Sequence, residues 1–494
     1  MYNKSIILKR FTIGLLLQLI IFFMLEETRC QGVKVLPKTN ITVNAGTAFK
    51  MMSGELQIMS DATGDASLID FGTVSYGNGT AKVQRYLSSG KWHLISSPVV
   101  NAVSGIFTGN YLKYYNEPTA QYIGITTLNT ILTSGKGYLF WNTGTGYSTK
   151  MFSGVTNTGN ITFNYTKTTD GWNLAGNPYP SVLDWDLVTP TLPATVNGSV
   201  SLYDPLTNTY KYYIMGGGAA NTATRYISSG QGFFIQAISS GSLTLTNMMR
   251  IHSNTSSFYK SASSDPMLLL KISGNNITTQ TALRFSNDAT SNIDRLMDMC
   301  KIMETTPQVP ALYTICQGEK MVLNSLPLSY IDADVTIPVY FEAGVGGNYQ
   351  IDASEMDGVN PSVSIYLEDI PENYIQNLRL NSQYSFTYNT AGQVRNMLIH
   401  FKNNATGVDG TESSKSGVVC YNIKNQLHVN FTPELFGNRE VNANIEVYTL
   451  TGQQIYNTTT HQFTNTILLT PEARAIYLVK VTYNNRVYVK KIVL

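Results

Sequence analysis

Apolar and polar residues alternate in short runs that recur about every ten residues along this chain, and no long stretch keeps a 3.6-residue period. The pattern predicts an all-β, multidomain protein. Residues 31–72 read as short strands broken by glycine. Residues 266–402 hold a series of such runs, from Met267–Ile272 to Met397–Phe401, which suits an immunoglobulin-like β-sandwich. Near the C-terminal end Leu427, Val429 and Phe431 alternate with His428 and Asn430, and Ile445 and Val447 alternate with Glu446 and Tyr448. Further on, Tyr477, Val479 and Val481 share one parity, and Ile476, Leu478 and Lys480 the other. Gly452 centres a turn, and Asn484-Asn485 suits a two-residue hairpin. Residues 421–494 are therefore read as a small β-sandwich behind a polar linker at 403–420.

Residues 73–250 read as an internal duplication, with copies at about 73–160 and 161–250. Trp92-His93-Leu94-Ile95-Ser96-Ser97-Pro98 matches Trp172-Asn173-Leu174-Ala175-Gly176-Asn177-Pro178 at an offset of 80. Tyr115, Thr119 and Tyr122 match Tyr203, Thr207 and Tyr210 at an offset of 88. Ser134-Gly135-Lys136-Gly137-Tyr138 matches Ser229-Gly230-Gln231-Gly232-Phe233 at an offset of 95. The growing offset places insertions in loops of the second copy. Two halves of one β domain are expected, with Trp92 and Trp172 both buried, each beside its own half's Tyr138 or Phe233.

Composition adds the compartment. Charged residues are 13% of the chain, about half the usual share, and the net charge of +2 argues against a nucleic-acid partner. Lys4, Lys9 and Arg10 precede Phe11–Leu25, an apolar stretch too short to span a bilayer. Residues 1–30 are thus predicted to be a signal peptide, cleaved after Cys30. Of the remaining cysteines, Cys300 and Cys316 are the only short-range pair. Either they form a disulfide, or all three, with Cys420 of the linker, are unpaired thiols.

The tail carries a resemblance. Ile445-Glu446-Val447-Tyr448-Thr449-Leu450-Thr451-Gly452-Gln453-Gln454-Ile455, then Ile476-Tyr477-Leu478-Val479-Lys480-Val481, then Lys490-Lys491-Ile492-Val493 resemble the type A C-terminal sorting domain of type IX secretion substrates. Ala475 stands where that family usually has Gly. The resemblance implies export through the outer-membrane type IX machinery and its sortase, with Gly452, Tyr477, Lys490 and Lys491 at sorting-motif positions. The segments Arg85-Tyr86-Leu87, Gly171–Pro180, Asp294–Lys301 and Leu367-Glu368-Asp369 resemble uncharacterised, adhesin-like surface proteins that carry the same tail. That likeness implies location and architecture, not an activity.

Catalytic constellations are absent from the sequence. None of the histidines sits in a His-Glu-x-x-His pattern, and neither a Gly-x-Ser-x-Gly elbow nor a Walker loop occurs. Of the acidic groups Asp184/Asp186, Asp332/Asp334 and Asp352/Glu355/Asp357-Gly358, the last could ligate Ca²⁺ through hard oxygens, but it departs from the EF-hand spacing and lacks the distal bidentate Glu, so a solvated acidic turn is the favoured reading. No cofactor, metal or enzymatic activity is expected. The aromatics are more suggestive. Trp141 precedes the loop Asn142-Thr143-Gly144, and Tyr111, Tyr114, Tyr115, Tyr122, Tyr212 and Tyr213 lie among Lys and Asn. Exposed, they would stack on sugars or anchor a protein; half-buried strand tyrosines are the commoner case. The expected function is a non-enzymatic, adhesin-like surface protein with a glycan or host-surface ligand. The alternatives are a secreted hydrolase with scattered carboxylates and a carbohydrate-binding surface protein.

Overall fold

The computed structural model describes residues 6–7, 32–188, 191–215, 220–252, 265–302, 306–389, 392–403, 418–423, 426–431, 442–449, 451–469, 476–483 and 486–493. Apart from Ile6–Ile7, the predicted leader lies outside them, and so does the linker from 404 to 417. The chain is almost entirely β, with short 3-10 turns and one four-residue helix, Ser329–Asp332, among the described elements. It divides into two compact units. The first holds Met1–Tyr330, Tyr340–Val359 and Gln383–Val394; the second holds Ile331–Val339, Asn360–Ser382 and Arg395–Leu494. The block read as one sandwich, 266–402, is thus shared between the units.

The first unit begins with parallel strands, a feature that local alternation does not reveal. Gly32–Val35 pairs in parallel with Glu55–Ile58, and that strand with the start of Thr80–Ser88. Asn40–Val43 pairs with Ser67–Asp70, and Ala48–Lys50 with Thr73–Ser75, also in parallel. The segment is therefore a short coil whose successive turns stack Val35 on Ile58 and bury Val83 in the same core.

The two halves that follow share one strand order. In the first, Lys91–Ile95, Tyr138–Asn142, Tyr111–Asn116 and Gln121–Gly124 lie side by side; in the second, Trp172–Gly176, Gly232–Gln236, Val200–Asp204 and Thr209–Tyr213 do. Registers correspond at the sequence offsets: Trp92 faces Trp141 as Trp172 faces Gln236, and Tyr115 faces Tyr122 as Tyr203 faces Tyr210. The halves meet reciprocally, through bridges Ile95 to Gln231 and Lys136 to Ala175. Two glycines permit this approach. A Cβ on Gly137 would sit 2.3 Å from the Ala175 carbonyl oxygen, and one on Gly232 3.1 Å from the Ile95 backbone.

Buried ions fasten these pieces. Arg250 and Asp70, both under 2% exposed at the side chain, pair at 2.5 Å, and Arg250 also donates to the Leu68 carbonyl at 2.6 Å. That contact ties the N-terminal coil to the second half. Glu117 joins the halves. Its carboxylate accepts from the backbone N–H groups of Thr168, Thr169 and Gly171 and from the Thr166 and Thr169 hydroxyls, at 2.7–3.2 Å. Burial alone would raise its pKa; the hydrogen bonds from Thr169, Thr166 and Thr168 outweigh burial and bring it to about 2. Because the folded pKa lies below the unfolded one, this stabilisation is present above pH 4.5 and fades as pH falls toward 2. Glu117→Gln should therefore cost about 3 kcal/mol at pH 7 in urea unfolding, with the gap to wild type closing by about pH 2. A gap independent of pH would refute the charge-based account.

The first unit also contains Ala311–Cys316, Glu319–Pro327, Ile277–Ser286, Met267–Gly274, Gly347–Glu355 and Gln383–Tyr388, adjacent in that order. Its apolar face joins Met267, Leu269, Met321 and Leu323 to Trp172, Tyr212 and Phe234 in one core. Cys300 and Cys316 are free thiols, so the disulfide reading does not hold. Met321 is the cross-strand partner of both Cys300 and Thr314, so the two cysteines flank Glu319–Pro327 on opposite edges. Two strand spacings put them about 10 Å apart, beyond disulfide reach of about 7 Å.

In the second unit, Tyr374–Asn377, Val363–Asp369 and Arg395–Asn403 pair in series, with Arg395 forked on buried Asp369. The tail follows as two sheets. One is Val418–Ile423, Gln426–Phe431 and Thr464–Leu468; the other is Gln454–Thr460, Ala443–Thr449, Ile476–Tyr483 and Arg486–Val493. Leu427, Val429, Phe431, Ile445, Val447, Tyr477, Val479 and Val481 form its core, the parity expected from the sequence. Cys420 belongs to the first tail strand, opposite Val429, rather than to the linker.

Candidate functional site

Three strands of the first half put aromatic rings on one face at one level. Trp92 lies opposite Trp141, and Trp141 opposite Tyr111. The side chains must share a face because directly opposed residues in a sheet do. The indoles meet edge to face, centroids 5.2 Å apart, and the Lys113 ammonium sits 5.2 Å from the Trp92 ring centre. Together they line an open depression of about 330 Å³. Both tryptophans are half-buried, and Tyr111 is 63% exposed.

The opposite face holds this platform rigid. Phe140 is fully buried and packs on Phe107. Asn142 is buried, and its amide donates to the Leu87 and Ser88 carbonyls, both at 3.1 Å. His93 Nε2 lies 2.8 Å from the Ser88 carbonyl, and burial lowers its pKa.

Trp92 therefore departs from the expected burial. Tyr138 points into the core while Trp92 points out, so the two cannot pack together. Trp172 is buried as expected, at 5% exposure, but against Phe234 rather than Phe233. Phe233 faces the other way, onto Trp185. At the level matching Trp141 the second half has Gln236, which donates to Glu319 at 3.1 Å. The following strands thus cover in the second half the level that lies open in the first, although further along the same face of the first half Leu94 and Leu139 enter that core as well.

The other predicted positions have structural settings. Arg225 bonds both Asp184 and Asp186. Asp352 caps the Ser354 N–H, and Glu355 pairs with Lys271. No group of three or more His, Cys, Asp or Glu positioned to hold a metal ion occurs among the described residues. In the tail, Gly452 takes a left-handed φ of 85° in the turn after Ala443–Thr449. Tyr477 is buried in the tail core. Lys490 and Lys491 lie on the last strand, paired with Val479 and Leu478. Asn484-Asn485 lies outside the described residues, between the paired positions Tyr483 and Arg486.

Comparison with known families separates the chain into two matched parts. Residues 20–400 match the family described as Domain of unknown function (DUF8693), and residues 423–494 match the Secretion system C-terminal sorting domain. No curated protein matches the chain. The tail match identifies a type IX secretion substrate, exported across the outer membrane to the cell surface or the extracellular space, and it implies interaction with that secretion machinery.

Proposed function

From the premise that this chain belongs to the DUF8693 family and ends in a sorting domain, we propose a non-enzymatic, adhesin-like protein that binds saccharide at the Trp92–Trp141–Tyr111 platform. One observation carries the reading: this ring cluster is open, whereas the matching Trp172 level is buried under the next strands. Indole faces inclined at 64° to each other form an angled apolar wall that suits the apolar face of a pyranose, and Lys113 supplies a donor at the rim. The common strand order and offsets support reading the halves as copies of one unit, of which the first leaves the Trp92–Trp141–Tyr111 end of its face open.

Trp141→Ala tests this on an array of neutral oligosaccharides. Binding should fall at least tenfold, in line with about 2 kcal/mol for an anchoring aromatic. Stability should change by only about 1 kcal/mol, since the ring is half-exposed. Saccharide binding by the variant equal to wild type would overturn the platform. Turnover of a glycan by the intact protein would favour the hydrolase instead.

A further inference from the structure

The aromatic platform belongs to a longer ribbon. Strand Thr80–Ser88 pairs antiparallel with Tyr147–Gly154, and Lys91–Ile95 pairs antiparallel with Tyr138–Asn142. Between the two tracts the ladder continues: the Ser89 N–H donates to the Gly146 carbonyl at 2.7 Å, and the Gly90 N–H to the Asn142 carbonyl at 2.6 Å. Residues 143–146 loop out of one strand at this corner. The Asn142 side chain fixes it, donating to Ser89 Oγ at 3.1 Å and accepting from Ser148 Oγ at 2.8 Å.

Both tracts turn one side to the same core. Val83, Leu87 and Phe152 of the first and Ile95, Tyr138 and Phe140 of the second are buried in it, and the Phe107 ring centre lies 4.8 Å from that of Phe140 and 5.9 Å from that of Phe152. Alternation along a strand sends the intervening residues to the outer side. There a second aromatic pair joins Trp92 and Trp141. Tyr86 and Tyr147 stack with centroids 4.9 Å apart and planes within 8°. Tyr147 is 59% exposed, so with one ring face on Tyr86 its other face is open. Tyr147 lies opposite Ser88, and Trp141 opposite Trp92. Ser88 and Trp92 are four residues apart, so about 13 Å of strand at most separates the two aromatic levels. The surface between them is unobstructed: a Cβ on Gly90, Gly144 or Gly146 would meet nothing within 4 Å. A single pyranose on the tryptophans does not span that distance, whereas a chain of several does.

We propose that the ligand is an extended saccharide chain of several units, laid along the ribbon with one sugar on Trp92 and Trp141 and another, farther along, on the open face of Tyr147. The Tyr86 stack holds that ring in place, so little side-chain freedom is lost on binding. That the ligand is a saccharide rests on the reading of the tryptophan platform; its length and its second contact rest on the ribbon.

Isothermal calorimetry of the full chain with the disaccharides and hexasaccharides of the cello-, xylo-, chito- and malto- series tests this. In the series that binds, the hexasaccharide should bind wild type at least about tenfold more tightly than the disaccharide, the effect of one further anchoring ring. Tyr147→Ala should abolish that gain, and Tyr147→Phe, which keeps the ring, should retain it. Tyr147 is largely exposed, so both variants should fold, and an unchanged melting curve verifies that. Equal affinities for the two lengths in wild type overturn the extended ligand. A gain that survives Tyr147→Ala reflects only the number of registers in which a longer chain can meet the tryptophans, and overturns the second contact. Either outcome leaves the platform standing when Trp141→Ala abolishes binding. Absence of binding by every probe, or binding indifferent to Trp141→Ala, sinks the platform itself and the extended ligand with it.

Discussion

A chain that stops at Asn403 should remain in the periplasm. The tail it lacks is a folded object with its own core of Leu427, Val429, Ile445, Val447, Val479 and Val481, all 0–1% exposed. A receptor reading such a tail reads a shape, and removing it leaves nothing to recognise. Surface-exposed protein should drop to background in cell fractionation, with a matching rise in the periplasmic fraction. The structure sharpens the complementary experiment. The family match opens at residue 423, but strand Val418–Ile423 pairs along its length with Gln426–Phe431. Grafting 418–494 onto an inert periplasmic reporter should carry it to the surface. A graft opening at 423 deletes most of an outer strand, uncovers Leu427 and Val429, and should be exported poorly or degraded. Surface delivery of the truncated chain would show that export depends on something other than the tail.

What could be read from the sequence was whatever local alternation or self-similarity encodes. Tyr477, Val479 and Val481 are buried because strand parity allows nothing else once one face is apolar. The offsets of 80 and 95 recur in the register pairs Trp92 with Trp141 and Trp172 with Gln236, and the offset of 88 in Tyr115 with Tyr122 and Tyr203 with Tyr210. Long-range pairing was hidden. Nothing local in Gly32–Val35 says that its partner is Glu55–Ile58, since a parallel neighbour is chosen by the connection between the strands rather than by a turn. Spacing of Cys300 and Cys316 suggested a bridge, but Glu319–Pro327 folds back between their strands. For the candidate platform, the rings were visible and their direction was not. Trp92 and Tyr138 read alike as core until Lys91–Ile95 is paired with Tyr138–Asn142, which sends Trp92 out with Trp141 and Tyr138 in.

That difference between like residues gives the largest expected stability effect. Trp172→Ala should cost about 3–5 kcal/mol, the range for truncating a buried aromatic. The Trp172 ring stands edge-on to Phe234 with centroids 6.3 Å apart, in a core shared with Tyr212, Met267, Leu269 and Met321. Those neighbours come from different strands of the first unit, so they cannot all relax into the space the indole leaves. Trp92→Ala, at the matching level of the first half, removes a half-exposed ring whose partner Trp141 already faces solvent in part. Its cost should be about 1 kcal/mol, with saccharide binding lost instead. Urea unfolding of the two variants, followed by a probe confined to the first unit, compares them directly. Equal destabilisation would mean that both faces are covered and that no open platform exists. An unchanged midpoint for Trp172→Ala would remove Trp172 from the core and, with it, the contrast on which the binding site was assigned.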